Sequence, residues 1–217
     1  MVTDISEHIK TIIKENLAFL LPGFLFWSGG GFWLYLSNKR DIHLWFDKQH
    51  FPIGDYLFKY ITYLGDGFLL ITVIVLLFIV KRKFSAKALL YSFLSSTLIV
   101  QVIKRAIPQN HRPHDFFYGQ DLYRVQGVNL LVDGSFPSGH SAGAICLFFV
   151  LASFTHRQGL KFILGIAAIL VCLSRIYLNQ HFLIDTIAGG IIAFCCTVLV
   201  LSVLRYKENA KAGTKHS

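Results

Sequence analysis

Charge is scarce in this chain. Only 15% of its 217 residues are Asp, Glu, Lys or Arg, against roughly a quarter in a soluble globular domain, which excludes an ordinary soluble fold. Cysteine is sparse too. Cys146, Cys172, Cys195 and Cys196 all fall inside apolar runs, away from segments that an oxidising compartment could cross-link. No CxxC or Cys/His spacing suggests a zinc site, so the four read as small, soft packing residues. The carboxylates do not cluster as metal ligands would, and no metal or other cofactor is expected. No basic stripe is interleaved with exposed aromatics, which argues against nucleic acid as a partner. Internal repeats and low-complexity linkers are missing as well, so one domain is expected, without the paired half-helices of many transporters. The first residues lack the pattern of a signal peptide: Asp4, Glu7, Lys10, Lys14 and Glu15 are mixed with four isoleucines.

Hydrophobic residues, by contrast, make up 54% of the chain, and they are bunched. Runs with little or no charge span Leu17–Ser37, Phe68–Val80 (reaching back to Ile61 if Asp66 is tolerated), Ala88–Ile103, Ser141–Thr155, Phe162–Ser174 and Phe182–Leu204. A bilayer core of about 30 Å needs about 20 helical residues. The first and last runs qualify directly, and the middle ones must borrow polar flanks that line a protein cavity. The expectation is an all-α membrane protein of six transmembrane helices over residues 17–206. Residues 1–16 precede it; Ile5, Ile9, Ile12 and Ile13 share one helical face, which suggests an amphipathic helix on the membrane surface, with a frayed, solvated tail as the alternative. A polar, unstructured tail is expected over 207–217. Trp27, Trp33 and Trp45 are candidate interfacial anchors, Trp33 the best placed.

With both termini in the cytoplasm, 12 of the 21 basic residues lie inside, four of them between Lys81 and Lys87. Nine lie outside, and four of those belong to the clusters described next. The positive-inside rule therefore places the termini in the cytoplasm and the clusters outside.

Three clusters carry chemistry. His181 and Asp185 are four apart, so on a helix their side chains meet. An Asp bonded to one imidazole nitrogen leaves the other free to attack. Ionisable groups at a membrane boundary are costly and default to function, which outweighs a merely structural ion pair. Arg175 precedes His181 by six residues, across a helix end and turn. Pro137-Ser138-Gly139-His140 opens the run Ser141–Phe154. Ser138 is a natural N-cap, Gly139 permits close backbone approach, and a helix N-terminus attracts anions. His140 is then placed to protonate a leaving oxygen. Lys104, Arg105 and Arg112 follow the run Ala88–Ile103, with Pro108 and Pro113 ending helical structure. These cations suit phosphate oxygens, and their outer position runs against the positive-inside trend.

These residues, in this order, resemble the type 2 phosphatidic acid phosphatase family of membrane lipid phosphatases, related to vanadium haloperoxidases. That pattern is Lys, six residues, Arg-Pro; then Pro-Ser-Gly-His; then Ser-Arg, five residues, His, three residues, Asp. The second and third motifs match. In the first, Arg105 is the residue separated from Arg112 by six others, with Lys104 one position too early. Either Arg105 takes the lysine's role, or the loop Pro108–His111 absorbs one residue and Lys104 keeps it; the second is favoured. A shift of one residue rotates a side chain by about 100°, so both cannot point inward. The resemblance implies that His181 is a nucleophile forming a phosphohistidine, oriented by Asp185, with His140 as general acid. It assigns the phosphate oxygens to Lys104 or Arg105, Arg112, Ser138, the Gly139 amide and Arg175. The implied substrate is a lipid phosphate, such as undecaprenyl diphosphate, phosphatidylglycerol phosphate, phosphatidic acid or a lipid A phosphate. The lack of a signal-peptide pattern and the compact six-helix layout fit a bacterial inner membrane, and an endoplasmic reticulum enzyme with a luminal site reads similarly. A lipid-to-lipid phosphotransferase and a non-catalytic lipid or anion transporter are the alternatives; the latter leaves the His181–Asp185 spacing unexplained.

Overall fold

Every apolar run of the sequence is helical. The computed structural model describes residues 4–107 and 110–213, among which there is no β-strand, only one isolated bridge between His111 and Asp133. The helices are α1 (Ile5–Glu15), α2 (Leu17–Leu36), α3 (Lys39–Asp47), α4 (Pro52–Ile61), α5 (Gly67–Ile79), α6 (Lys83–Ala106), α7 (Pro113–Phe116), α8 (Gly139–Ser153), α9 (Gln158–Tyr177) and α10 (Leu183–Gly213), with a 3-10 turn over Thr62–Gly65. Three starts are capped as residue type predicts. Asn38 accepts from the Asp41 amide at 2.9 Å, Asp66 from the Phe68 amide at 2.7 Å, and Ser138 from the Ser141 amide at 3.3 Å.

The protein is an integral membrane helical bundle. Four helices, α2, α6, α9 and α10, are long and apolar enough to span a bilayer. Pro52–Gly65 and Gly67–Ile79, bent by 52° at Asp66, are apolar and long enough together to form a fifth, broken span or a re-entrant loop. The sixth expected span, α8, has 15 residues, about 22 Å at the usual rise, and falls short of a bilayer core. It is the enclosed centre of the bundle. Residues Ser141–Val150 are all buried, against α6, α9, α10 and the 3-10 turn. Small residues permit this closeness. A Cβ on Gly143 would lie 2.6 Å from the Gly65 carbonyl oxygen, and one on Gly189 would lie 2.2 Å from that of Ser138.

The N-terminal helix forms as expected, and one terminal expectation is corrected. Helix α1 packs on α10, with Ile12 fully buried in the main core and Ile9 against it. Glu15 pairs with Arg205 at 2.8 Å, and the Lys161 ammonium donates to the Glu15 carbonyl at 2.5 Å. The tail expected to be unstructured from Lys207 is helical to Gly213, because α10 continues past the membrane-spanning stretch; residues 214–217 lie outside the described residues. Trp33 packs against Trp45 and Phe46, while Trp27 faces Phe194 inside the bundle.

Candidate active site

The three motifs meet at one end of the bundle. The last turn of α9 sets the first pair. Asn179 adopts a left-handed backbone at φ 53°, a conformation Asn tolerates at the end of a helix. The Gln180 and His181 amides then both donate to the Arg175 carbonyl at 3.0 Å, and the Asn179 amide to that of Ile176 at 3.0 Å. This reversal brings His181 back beside Arg175. The expected helix end and turn over 176–180 are seen, with the helix persisting to Tyr177.

His181 is 1% exposed, and its two nitrogens have different neighbours. Nε2 lies 3.3 Å from Arg112 Nη1. A guanidinium only donates, so Nε2 must carry a lone pair and the proton must sit on Nδ1. Nδ1 faces Asp185 Oδ2 at 3.5 Å, a contact too long for a good hydrogen bond. Asp185 Oδ2 is held by Ser135 Oγ at 2.5 Å and by the Phe182 amide at 2.9 Å. Burial, and then the Arg112, Arg175 and Lys104 charges, keep the His181 imidazole well below its ordinary pKa of 6.5. The ring is therefore neutral, with a free lone pair aimed at the cations.

Arg112 is anchored from both sides. Nε donates to the Asp133 carbonyl at 2.8 Å, Nη1 to the Gln180 carbonyl at 3.0 Å and Nη2 to the Gly134 carbonyl at 3.4 Å. Arg175 Nη1 donates to Thr62 Oγ1 at 2.7 Å, and its Nε is buried without a partner. Lys104 Nζ donates to the Gly134 carbonyl, so it points into the site. Arg105, one residue on, is exposed. The extra residue therefore lies between Lys104 and Arg112; Pro108, expected within that loop, lies outside the described residues.

Ser138 is buried at the start of α8, and its amide donates to the Asp185 carbonyl at 2.9 Å. Its hydroxyl oxygen also takes the Ser141 hydroxyl at 2.9 Å, which turns that oxygen towards its own helix. A Cβ on Gly139 would meet nothing within 4 Å, so its backbone borders open space. His140 Nε2 lies 3.6 Å from Asp66 Oδ2.

Sequence reasoning missed several participants. Asp66 was visible as the lone charge inside an apolar run, the signal by which membrane-embedded ionisable groups announce a role. Its capping of α5 at the bend sets it beside His140. Ser135, three residues before Ser138, holds Asp185. Asn110 clamps the intervening loop: its side chain donates to the Phe136 carbonyl and accepts from the Phe136 amide, both at 2.6 Å. Thr62 and Gln180 contact the arginines, and no local pattern marks them. Among the described residues no three His, Cys, Asp or Glu side chains lie together as a metal site.

Comparison with known proteins agrees with this geometry. The family model described as PAP2 superfamily matches residues 85–209, more than half the chain and all three clusters. Phosphatidylglycerophosphatase B of Bacillus subtilis (strain 168) is 32% identical over 142 residues, 59% of this chain and 64% of its own length. The match thus spans less than two thirds of that relative. The crystal structure of Aquifex aeolicus LpxE superposes with a TM-score of 0.65 at 28% identity, covering 74% of this chain and 93% of that one. A transmembrane PAP2-type phosphatidylglycerolphosphate phosphatase from Bacillus subtilis superposes with a TM-score of 0.61 over 90% of this chain and 96% of its own, at 22% identity. That last likeness speaks to the fold alone.

Proposed function

Because the chain belongs to the PAP2 superfamily, we propose that it is a membrane phosphatase that hydrolyses a lipid phosphate through a phosphohistidine on His181. The observation that carries this reading is the His181 Nε2 lone pair facing Arg112, which shares the Gly134 carbonyl with Lys104 and the Gln180 side-chain oxygen with Arg175. The substrate phosphate takes over the Arg112, Arg175 and Lys104 charges, with the Gly139 amide and Ser138 at the helix start adding donors. Arg112 then no longer occupies Nε2, which attacks phosphorus. The bond from phosphorus to the lipid oxygen breaks, and His140 gives that oxygen its proton. Three cations spread around the transferring group stabilise its developing charge. Asp185 steadies the imidazolium through Nδ1. A water then attacks the phosphohistidine, His140 takes the water's proton, and Nε2 leaves as inorganic phosphate forms. Burial and the Arg175 charge push the His140 pKa from 6.5 down to about 3, and Asp66 opposes that shift, so the proton transfer relies on Asp66 and on a phosphate that offsets the nearby cations.

The lipid tail lies between helices, with the headgroup at the end of the bundle where the motifs meet. Phosphatidylglycerophosphate is the first substrate to test, from the name of the Bacillus relative. Undecaprenyl diphosphate, phosphatidic acid and lipid A phosphates complete the panel. The basic residues support a site on the extracytoplasmic face, and the compact helical layout fits a bacterial inner membrane. The deciding experiment incubates detergent-solubilised protein with that panel, with and without EDTA and vanadate. Phosphate release that survives EDTA, falls with vanadate and vanishes in His181→Ala is expected. Loss of activity in chelator, restored by a divalent ion, would overturn the metal-free step. Transfer of phosphate to a second lipid in place of release would make the protein a phosphotransferase.

A further inference from the structure

Arg112, Arg175 and Lys104 crowd three positive charges around one imidazole, yet none of them forms an ion pair with a carboxylate among the described residues. Their hydrogen-bond partners are neutral. Arg112 donates to the Asp133, Gly134 and Gln180 carbonyls, Lys104 to the Gly134 carbonyl, and Arg175 to the Thr62 hydroxyl. One side chain serves both arginines. Gln180 Oε1 lies 3.4 Å from Arg112 Nη1 and 3.5 Å from Arg175 Nη2. Gln180 is 2% exposed, and its amide has a definite sense: Nε2 donates to the Asn129 carbonyl at 3.0 Å. The opposite sense would set an NH2 against two guanidinium groups and two carbonyl oxygens against each other.

Neutral acceptors matter here because a buried guanidinium must be satisfied. A carboxylate would satisfy it but cancel the charge that a phosphate needs. We infer that Gln180 is a positioning residue, a neutral brace that sets the spacing of the Arg112 and Arg175 guanidiniums and leaves both charges free for the phosphoryl group. It acts through the arginines and needs no contact with the substrate. The inference rests on the phosphatase reading proposed above.

Two near-isosteric variants test it. Gln180→Glu keeps an acceptor of the same reach but adds a negative charge between the two guanidiniums. Vanadate affinity and kcat/KM are expected to fall by about 10²-fold, the order expected when one oxyanion-stabilising group is lost, with KM rising. Gln180→Met keeps the volume and removes the acceptor. Its KM is expected to stay within a few-fold of the native value while kcat falls by about tenfold, because misplaced donors cost the transition state more than the ground state. Vanadate binding is read directly, as the ligand-induced rise in melting temperature, so it does not depend on turnover. A purely structural glutamine would lower the melting temperature of both variants and leave KM, kcat and vanadate affinity of the folded protein alike; that result overturns the inference. So does native behaviour of both variants. A native protein that binds vanadate with the expected Gln180→Glu loss, yet releases no phosphate from any lipid, overturns the phosphatase reading and leaves the brace standing.

Discussion

At the scale of single residues, the first motif turns on which of two adjacent cations faces the phosphate. Lys104 Nζ reaches the Gly134 carbonyl inside the site, whereas Arg105 is exposed. Lys104→Ala should therefore lower kcat by about 10²–10³, and Arg105→Ala by only a few-fold, since a solvated charge contributes little. Steady-state kinetics of the two variants would settle it, and the reverse ranking would place Arg105 in the lysine's role. His43 makes a separate point about stability. It is 1% exposed, stacked on Phe117 and edge-on to Phe182, with both ring nitrogens unpartnered. Burial pushes its pKa from 6.5 down to about 4. The unfolded chain thus binds the proton first, and the folded protein loses stability as pH falls from about 6.5 towards about 4, at up to about 1.4 kcal/mol per pH unit. His181, also held neutral, adds a loss of the same sign. His43→Phe should make the fall in stability over that window shallower, as read from denaturation midpoints at several pH values; an unchanged slope would remove His43 as a contributor.

At the scale of elements, the site depends on how closely α10 approaches the start of α8. Gly189 lies four residues after Asp185, on the same face of α10, and its Cα hydrogen meets the Ser138 carbonyl where a Cβ would stand at 2.2 Å. The Ser138 amide in turn donates to the Asp185 carbonyl at 2.9 Å. Gly189→Ala must push the two helices apart, at a cost of about 1–3 kcal/mol or more, and it carries Asp185 with it. A lower melting temperature together with reduced kcat is expected. Gly29→Ala is the control: a Cβ there meets nothing within 4 Å, and Ala is worth up to about 1 kcal/mol more than Gly inside a helix. Equal effects of the two changes would mean that the α8–α10 approach does not limit activity.

At the scale of the whole molecule, the bundle has two chemically different ends. One holds the three motifs with α3 and α7; the other holds α1 and the basic segment Lys81–Lys87. With the site outside, Tyr118→Cys should react with an impermeant thiol reagent in intact cells, as Tyr118 is 91% exposed. Ser85→Cys, on the basic end, should react only after the cells are opened. The native cysteines are a small background: Cys146, Cys172 and Cys196 are buried, and Cys195 faces outward from a spanning helix. Labelling of Ser85→Cys alone in intact cells would invert the orientation and put the chemistry in the cytoplasm.

Period and composition by themselves determined the class of this protein and its helical runs, and motif spacing marked the residues that the structure brings together at one end of the bundle. Those features are local: apolar bunching, the His181–Asp185 interval on one helix, Ser138 before a helix, and arginines beyond a helix end. What lay beyond them was decided by contacts between segments far apart in the chain. That α8 is an enclosed hub depends on glycines at 65, 143 and 189 meeting carbonyls of other helices, and apolar content alone does not separate a buried helix from a lipid-facing one. That Lys104 turns inward while Arg105 is exposed follows from where the Gly134 carbonyl sits, 30 residues away. Ser135 on Asp185, Asp66 beside His140 and Gln180 between two arginines likewise arise only when the chain closes on itself. A hydrogen bond is satisfied in space, and sequence spacing does not report a partner that another helix supplies.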